Sequence, residues 1–272
     1  MKIAVIGGDR RMSTVARLFC ESGFDCIRAA AGSESTDVFE AIRNSAVTVL
    51  PLPCQKGGRL YAPTSNEEIY VDDIFAAGSG KTFFVGGMLP ADLPQSADYS
   101  KREDFLLKNA VLTAEGAIET ALRETDFSLF GARAAVFGYG RIGARLASLL
   151  KAFGATVTVV ARRSESRLLA ELANHRAVGF TRLSNVLENS DVIFNTVPYR
   201  IFGKDELSKM SKNSLYIELA SAPYGFCEED KDSCAARILV ASGLPGKTAF
   251  ETAGKIIFDT VVAIMRERGL AV

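Results

Sequence analysis

An apolar segment that ends in a glycine-rich turn constrains this chain most, because few structures place a helix directly after such a turn. Residues 134–144 read Ala-Ala-Val-Phe-Gly-Tyr-Gly-Arg-Ile-Gly-Ala, which gives the glycines G-x-G-x-x-G spacing. Apolar residues then recur at helical intervals, namely Ile142, Leu146, Leu149, Leu150 and Phe153. A strand, a glycine turn and a helix in this order form the context in which the spacing binds a dinucleotide.

The residues of this turn have separate expected roles. Gly138, Gly140 and Gly143 permit the tight turn, the close approach of a pyrophosphate to backbone N–H groups, and the packing of helix on strand. Arg141 and Ile142 begin the helix, whose N-terminal N–H groups favour a phosphate. We predict a cofactor site over these five residues, with a purely structural glycine turn as the alternative.

The end of the next strand predicts which nucleotide binds. The strand over residues 155–161 continues into Arg162, Arg163 and Ser164. An NAD-preferring site usually has Asp or Glu there to bind the ribose 2′-hydroxyl, whereas arginine binds phosphate bidentately and keeps its charge. We predict NADP, held by these three residues. NAD remains an alternative because arginine also stacks on adenine, and a solvated basic loop is the non-functional alternative.

Composition narrows the class of function. The length of 272 residues predicts two domains. The 32 basic and 32 acidic residues balance, which argues against a nucleic-acid partner. No apolar stretch reaches the roughly 18 residues of a membrane helix, so no membrane association is expected. The single histidine, His175, lies in a polar segment and is expected at the surface, and no metal site is predicted. The five cysteines show no C-x-x-C spacing and are expected to be reduced cytosolic thiols.

Alternating strands and helices predict an α/β protein with two Rossmann-like, doubly wound parallel-sheet domains and a cleft between them. The predicted strands lie at 2–6, 26–30, 46–51, 82–86, 134–137, 155–161, 191–198, 214–221 and 237–241. A connecting helix is predicted over about 113–124, and a long amphipathic helix over about 248–268 is expected to pack on the first domain. The first, substrate-side domain is thus predicted over 1–112 and 248–272, and the NAD(P)-binding domain over 113–247. The first glycine turn lacks a third glycine, so we expect no dinucleotide there.

Residues at the carboxyl ends of the second domain's strands are further candidates, because ligands bind outside these ends in open α/β sheets. The predicted cofactor-binding residues here are Asn195, Thr196, Val197, Pro198 and Ala220. The hydroxyl of Ser221 is a candidate catalytic group that would bind the nicotinamide amide or the substrate. A strand stop at Pro198 and a turn residue at Ser221 are the alternatives.

Other candidates lie where helices begin. Arg11 is predicted to hold a substrate carboxylate beside Asp9; the alternative is a helix N-cap at Asp9 with a solvated Arg11. Thr113 and Glu115 are predicted at a hinge, with Glu115 as a proton acceptor or, alternatively, as a first-turn helix carboxylate.

Pro245, Gly246 and Thr252 are predicted at the start of the last helix, where a substrate carboxylate would be received. No histidine–carboxylate couple is apparent, which disfavours simple 2-hydroxyacid dehydrogenase chemistry.

Motifs in a fixed order carry a resemblance to a known family. They are Gly-Gly-Asp-x-Arg at 7–11, Thr-x-Glu-Gly at 113–116, the glycine turn, Ala-Arg-x-Ser at 161–164, Asn-Thr-x-Pro at 195–198, Leu-Ala-Ser at 219–221, Gly-Leu-Pro-Gly at 243–246 and Thr-Ala-Gly at 252–254. Over nearly its full length the chain resembles the family of dipicolinate synthase A subunits from spore-forming bacteria. The last two motifs are the more specific ones, since the glycine turn and Asn-Thr-x-Pro also occur in 2-hydroxyacid dehydrogenases.

The resemblance implies a function. Members form dipicolinate from dihydrodipicolinate or its 4-hydroxytetrahydro precursor, with hydride passing to a nicotinamide cofactor. It also implies a small dicarboxylate substrate, a flavoprotein-like B subunit of dipicolinate synthase as partner and a location in the mother-cell cytoplasm; a homo-oligomer is among the expected assemblies. An oxidoreductase acting on another small acid and a non-catalytic NADP-binding protein are the alternatives.

Two positions depart from the family pattern. Ala222 stands where a basic residue is expected, and Glu251 where lysine is expected. Both changes remove positive charge near a site for a dianion. Either other cations compensate or the substrate differs, and the candidate cations are Arg10, Arg11, Arg141, Arg200 and Lys247.

Overall fold

The structure is a computed structural model that describes residues 1–30, 36–78 and 80–270. Its strands are β1 (Lys2–Ile6), β2 (Asp25–Ala29), β3 (Val47–Val49), β4 (Gln55–Lys56), β5 (Arg59–Leu60), β6 (Phe83–Gly86), β7 (Ser96–Asp98), β8 (Arg133–Phe137), β9 (Thr156–Val160), β10 (Arg176–Val178), β11 (Val192–Asn195), β12 (Leu215–Glu218) and β13 (Arg237–Val240). Its α-helices are α1 (Arg10–Glu21), α2 (Val38–Arg43), α3 (Val71–Ala77), α4 (Glu103–Glu124), α5 (Arg141–Ala152), α6 (Ser164–Leu172), α7 (Leu183–Glu188), α8 (Lys204–Ser208), α9 (Leu244–Thr248) and α10 (Phe250–Glu267).

The chain divides into two compact units. One consists of Met1–Asn109 and Ala249–Val272, and the other of Ala110–Thr248. The first division therefore falls inside α4, and the second falls between α9 and α10.

The first unit is built on a parallel sheet of order β2-β1-β3-β6-β7. Its interior strand β1 is apolar from residue 3 to residue 6 because both of its faces are covered. Ile3 and Val5 pack in one cluster with residues of α1 and α10. Ala4 and Ile6 belong to a second cluster, which includes residues of α2 and α3. Successive strand residues point to opposite faces, so this alternation places helices on both sides of the sheet.

Helices α1 and α10 approach each other closely in the first unit. A β-carbon added at Gly254 would lie 2.5 Å from the Thr14 β-carbon and 2.6 Å from the Arg11 carbonyl oxygen. Glycine at this position lets the two backbones touch. The Thr-Ala-Gly motif therefore has a packing role, and α10 packs on the first unit as predicted.

The second unit contains a parallel sheet of order β10-β9-β8-β11-β12-β13. Along β8, Ala134 and Val136 pack in one cluster with α5 residues, whereas Ala135 and Phe137 pack in another. From β8 the chain first builds outward through β9 and β10, then returns to the other side of β8 with β11. The topological switch point, where such sheets bind ligands, thus lies between β8 and β11. The predicted α/β class with two parallel-sheet domains is confirmed.

Two predicted helices have different bounds in the structure. The helix predicted from residue 113 begins at Glu103, and Glu103 with Asp104 supplies the acidic first turn that a helix N-terminus favours. The helix predicted over about 248–268 is α10, which begins at Phe250, while residue 248 ends the separate short helix α9. Phe153, predicted among the apolar residues at helical spacing in α5, is the C-cap of that helix and is 44% exposed.

Candidate nucleotide-binding site

The glycine turn after β8 is shaped by two close backbone approaches. Gly138 has a φ of +92°, in the left-handed region that favours glycine. A β-carbon at Gly143 would lie 2.2 Å from the Gly138 carbonyl oxygen. An ordinary carbon–oxygen contact is about 3.3 Å, so only glycine lets α5 begin this close to the turn.

Gly140 stands in a different environment from the other two glycines. It is the N-cap of α5 with a φ of −89° and no side-chain cap. A β-carbon there would meet no heavy atom within 4 Å. The fold therefore does not require glycine at this position, and open space lies before the uncapped N–H groups of α5. Those groups and the helix dipole favour an anion in that space, as a pyrophosphate would supply.

Two hydrogen bonds join the end of β11 to the end of β8 at the switch point. Phe137 accepts two hydrogen bonds from Thr196 on its carbonyl oxygen, one from the backbone N–H at 2.9 Å and one from the hydroxyl at 2.8 Å. Thr196 and Val197 are half-buried, and Pro198 is exposed. Thr196 thus joins the two strand ends, while Val197 and Pro198 continue along the carboxyl edge of the sheet.

Asn195 is fully buried, and its side chain is used inside the protein. Its amide nitrogen lies 2.8 Å and 3.1 Å from the two carboxylate oxygens of Glu218, and its Oδ1 accepts from the Val197 N–H at 3.1 Å. The side chain predicted to bind cofactor therefore supports the loop instead. The sequence could not show this, because the partner of a polar residue at a strand end depends on the neighbouring strand.

Glu218, the last residue of β12, is the centre of that support and was not predicted as a site residue. Besides Asn195, its carboxylate accepts from the Tyr216 hydroxyl at 2.7 Å, the Ala220 N–H at 3.0 Å and the Gly225 N–H at 2.8 Å. Burial raises the pKa of Glu218, and the hydrogen bonds from Gly225, Tyr216, Ala220 and Asn195 oppose that rise. The sequence does place a carboxylate at the end of an apolar strand, and this position indicates a buried acceptor that neighbouring groups must satisfy.

Arg162, Arg163 and Ser164 are exposed at the end of β9. Arg163 is the N-cap residue of α6, and Ser164 is its first residue. The guanidinium of Arg167, one turn into α6, donates to the carbonyl oxygens of Ala161 at 3.0 Å and Arg162 at 2.7 Å. Arg167 therefore holds the backbone that presents the two arginines, a supporting role that the sequence analysis missed.

His175 does not lie at the surface as predicted. It is 6% exposed, and its ring packs edge-on against Tyr139 with the centroids 6.2 Å apart. Burial, with a smaller contribution from Lys151, lowers the pKa of His175. Its polar neighbours in the sequence concealed the burial. Among the described residues, no group of three or more His, Cys, Asp or Glu side chains could hold a metal ion.

The glycine turn after β1 differs from the one after β8, because protein atoms fill it. β-Carbons at Gly7 and Gly8 would lie 2.8 Å from Leu60 and 2.3 Å from Met12, respectively. The Gly8 N–H donates to the Tyr61 carbonyl oxygen at 2.6 Å. The Asp9 carboxylate caps α1 by accepting from the Arg11 N–H at 3.1 Å. The N-terminus of α1 therefore already holds an anion supplied by the chain.

Arg11 is buried rather than solvated. Its Nε and one terminal nitrogen donate to the two Asp9 oxygens, each at 2.8 Å, and the same terminal nitrogen donates to the Leu52 carbonyl oxygen at 2.8 Å. The predicted N-cap at Asp9 is present, but the solvated Arg11 that accompanied it is wrong. The bidentate partner of Arg11 in this structure is Asp9.

The remaining candidates lie on helices. Thr113 is buried and Glu115 is exposed, both well inside α4, so the first-turn explanation for Glu115 is wrong. Pro245 and Gly246 belong to α9 and not to the last helix, whereas Thr252 is exposed in the first turn of α10.

The structure also gives the Gly-Leu-Pro-Gly motif a packing role. A β-carbon at Gly116 would lie 2.8 Å from the Leu244 β-carbon, so α9 packs directly on α4.

Comparisons with known proteins agree with this geometry. Residues 2–105 match the model of the N-terminal domain of the dipicolinate synthase A subunit, and residues 107–224 match that of the D-isomer specific 2-hydroxyacid dehydrogenase NAD binding domain. The dipicolinate synthase A subunit of Bacillus subtilis (strain 168) is 30% identical over 288 residues, covering 98% of this chain and 96% of the relative. The chain belongs to the family of dipicolinate synthase A subunits.

Two solved structures of this family share the fold. The A chain of dipicolinate synthase from Bacillus subtilis has a TM-score of 0.85 and 27% identity, over 98% of this chain and 96% of that one. The dipicolinate synthase A subunit from Bacillus halodurans has a TM-score of 0.84 and 25% identity, over 97% of each chain. The resemblance stated from the sequence is thus confirmed.

The matched NAD-binding region contains the parts of the site at the carboxyl ends of β8, β9 and β11, together with Glu218. The glycine turn, the arginines after β9, the loop after β11 and Glu218 all fall within residues 107–224. The protein is therefore an NAD(P)-dependent oxidoreductase with a nicotinamide cofactor. No helix among the described ranges has the length and hydrophobicity needed to cross a membrane.

Proposed function

We propose that this chain forms dipicolinate from dihydrodipicolinate, or from its 4-hydroxytetrahydro precursor after loss of water. The observation that carries the proposal is the open space before α5 at Gly140, in a chain whose relative is the A subunit of a dipicolinate synthase. The dihydropyridine ring loses a hydride and a proton and becomes aromatic. A nicotinamide cofactor, when bound, would supply the acceptor for the hydride, and the chain's own residues would bind and orient the substrate and take up the proton.

We propose NADP as the preferred cofactor. Gly138, Gly140, Gly143 and the first N–H groups of α5, at Arg141 and Ile142, would hold the pyrophosphate. The exposed side chains of Arg162, Arg163 and Ser164 at the end of β9 would hold the 2′-phosphate, where guanidinium groups bind phosphate bidentately.

The carboxyl edge near the switch point would receive the nicotinamide. Val197, Pro198 and Ala220 follow β11 and β12 there, next to the exposed Ser221. We propose that the Ser221 hydroxyl binds the carboxamide or the substrate, and that Glu115 accepts the proton. Asp9, Arg11, Thr113, Pro245, Gly246 and Thr252 are the proposed substrate-binding residues. Arg11 would have to share its donors between Asp9 and a substrate carboxylate.

The proposal includes a partner and a setting. The relative is one subunit of its enzyme, and we propose that this chain also requires a second, flavoprotein-like subunit for turnover. The corresponding setting is the cytoplasm of the mother cell during sporulation.

The test is reduction of NADP⁺, followed by absorbance, with freshly generated dihydrodipicolinate and the partner subunit. NAD⁺ is run in parallel, and Gly140→Ala is the matched variant. Turnover that prefers NADP⁺ and is lost in the variant is expected. Binding of cofactor without turnover, with and without the partner, would refute the proposed reaction and leave either a different acid substrate or a non-catalytic NADP-binding protein.

A second candidate function is oxidation of another small acid. It is favoured by Glu251, which stands at a position expected to be basic and pairs with Arg17 at 2.7 Å. Among the expected compensating cations, Arg11 is paired with Asp9 and Arg200 is paired with Asp230 at 2.6 Å. Turnover of a hydroxy acid or keto acid without any partner would establish this alternative.

A further inference from the structure

We propose that Glu218 is a positioning residue for the nicotinamide end of the site. Its buried carboxylate accepts hydrogen bonds that link the loop after β11 to the loop after β12. Cofactor affinity depends on the negative charge of this carboxylate. This inference rests on the proposed function, because it takes those two loops as the ones that receive the nicotinamide.

The hydrogen bonds to Glu218 come from both loops. From β11 the Asn195 amide donates to both carboxylate oxygens, and the Asn195 Oδ1 in turn holds the Val197 N–H. From the loop after β12, the Ala220 and Gly225 N–H groups each donate to one oxygen. One carboxylate therefore fixes the backbone at residues 197 and 220, which are both proposed to lie against the nicotinamide.

Gly225 closes this cluster. Its carbonyl oxygen accepts from the N–H groups of Ile201 and Phe202, each at 2.8 Å. A β-carbon at Gly225 would lie 2.6 Å from the Asn195 amide nitrogen and 2.8 Å from the Tyr216 hydroxyl oxygen. The loop after β12 thus lies directly on the hydrogen-bonded groups and leaves no room for a side chain. A change in the charge or length of the Glu218 side chain therefore alters the hydrogen bonds that hold the backbone of both loops.

The groups around Glu218 select a carboxylate over a neutral amide. The Asn195 amide nitrogen and the two backbone N–H groups can only donate, and the Tyr216 hydroxyl donates in the observed arrangement. Glutamine at position 218 would direct its own N–H₂ at one or more of these donors and leave them unpaired. Hydrogen bonds to an ionised carboxylate are also stronger than hydrogen bonds to a neutral amide oxygen.

Titration of Glu218 gives the proposal a distinctive signature. Burial raises the pKa of Glu218 above its ordinary value, so the carboxylate takes up its proton at a higher pH than an exposed glutamate does. The titratable group in contact is Tyr216, whose own pKa is raised by burial and by Glu218, with a smaller contribution from Cys234. Protonation removes acceptor capacity, so cofactor affinity falls on acidification.

The experiment measures the NADPH dissociation constant by fluorescence between pH 5 and pH 8, together with thermal unfolding of the same samples. Glu218→Gln is expected to weaken binding by about tenfold to hundredfold at neutral pH, as expected for loss of a charged hydrogen bond, and to remove the acid-side loss of affinity. Tyr216→Phe, the matched control, removes one donor and keeps the charge. It is expected to weaken binding less than Glu218→Gln and to retain the pH dependence.

A second variant keeps the test decisive if Glu218→Gln does not fold. Asn195→Asp places a second carboxylate beside Glu218, which raises the pH at which the pair takes up a proton. The midpoint of the affinity profile should then move to higher pH. Wild-type affinity in Glu218→Gln, or an unmoved midpoint in Asn195→Asp, would overturn the inference. Failure of the wild-type protein to bind NADPH or NADH would instead overturn the proposed function.

Discussion

Replacing Gly140 with alanine should separate cofactor binding from folding. The new β-carbon would meet no protein atom within 4 Å, and the φ of −89° suits alanine. Replacing glycine by alanine at an N-cap lowers the free energy of unfolding by about 0.5–1 kcal/mol. The reduced conformational freedom of the unfolded chain raises it by about 0.4–1 kcal/mol. The net change in the free energy of unfolding is therefore expected to be below about 0.5 kcal/mol, or about 2 °C in Tm.

Binding should respond far more strongly than stability to the same change. The methyl group occupies the space in which the pyrophosphate would approach the first N–H groups of α5. Losing one hydrogen bond to a charged group costs about 1.5–3 kcal/mol, which corresponds to roughly tenfold to a hundredfold in affinity. At a concentration of 100 times the wild-type dissociation constant, NADP stabilises a protein by about 2.7 kcal/mol, and a hundredfold weaker variant gains only about 0.4 kcal/mol.

Thermal unfolding with and without NADP measures both quantities in one assay. Gly143→Ala is the matched control, since its β-carbon would lie 2.2 Å from the Gly138 carbonyl oxygen. Overpacking of this kind costs about 1–3 kcal/mol, so this control should lose stability even without cofactor. A Gly140→Ala protein that keeps the full NADP-induced rise in Tm would refute the assignment of this space to the pyrophosphate.

Three further predictions concern cofactor choice, packing and pH. Replacing Arg162 and Arg163 together with alanine should weaken NADP by about tenfold or more and leave NAD nearly unchanged, as two charged phosphate contacts require; equal losses for both cofactors in titrations would contradict the 2′-phosphate role. Gly254→Ala should lower the free energy of unfolding by about 1–3 kcal/mol, because its β-carbon would clash with α1. An unchanged urea midpoint would show that α1 and α10 can move apart without loss of stability. Arg133 lowers the pKa of Asp191, so this exposed pair contributes stability, less than about 1 kcal/mol, above the unfolded carboxyl pKa and loses it as pH falls through the folded value. The Tm difference between wild type and Asp191→Asn should therefore vanish in acid, and a constant difference would refute this account.

The sequence specified most of the fold because its signals are local. Continuous apolar runs such as residues 3–6 and 192–194 are typical of strands buried on both faces, and each lies within a strand of the structure. Glycine spacing indicated the turn before α5 for the same reason, since it reflects backbone geometry within a few residues. The start of α4 was missed although Glu103 and Asp104 marked it.

The side-chain partners could not be predicted in the same way, because they come from distant parts of the sequence. Asn195 meets Glu218 only because β11 and β12 are neighbours in register, with these two residues paired. Arg11 is buried against Leu52, a residue of the loop after β3. His175 has polar neighbours in the chain but lies beside Tyr139 of the glycine turn. Each of these contacts depends on strand order, which local patterns do not determine.

The two glycine turns show why similar sequences have different binding capacity. After β8, Gly140 leaves the N-terminus of α5 uncapped and the space before it open. After β1, the corresponding end of α1 is capped by the Asp9 carboxylate, which Arg11 neutralises, and the turn is filled by Leu60 and Met12. A phosphate at α1 would have to displace a carboxylate held by two charged hydrogen bonds, and the Gly8 N–H is already donated to Tyr61. A chain-supplied anion therefore makes the first turn a structural element, and the dinucleotide belongs to the second.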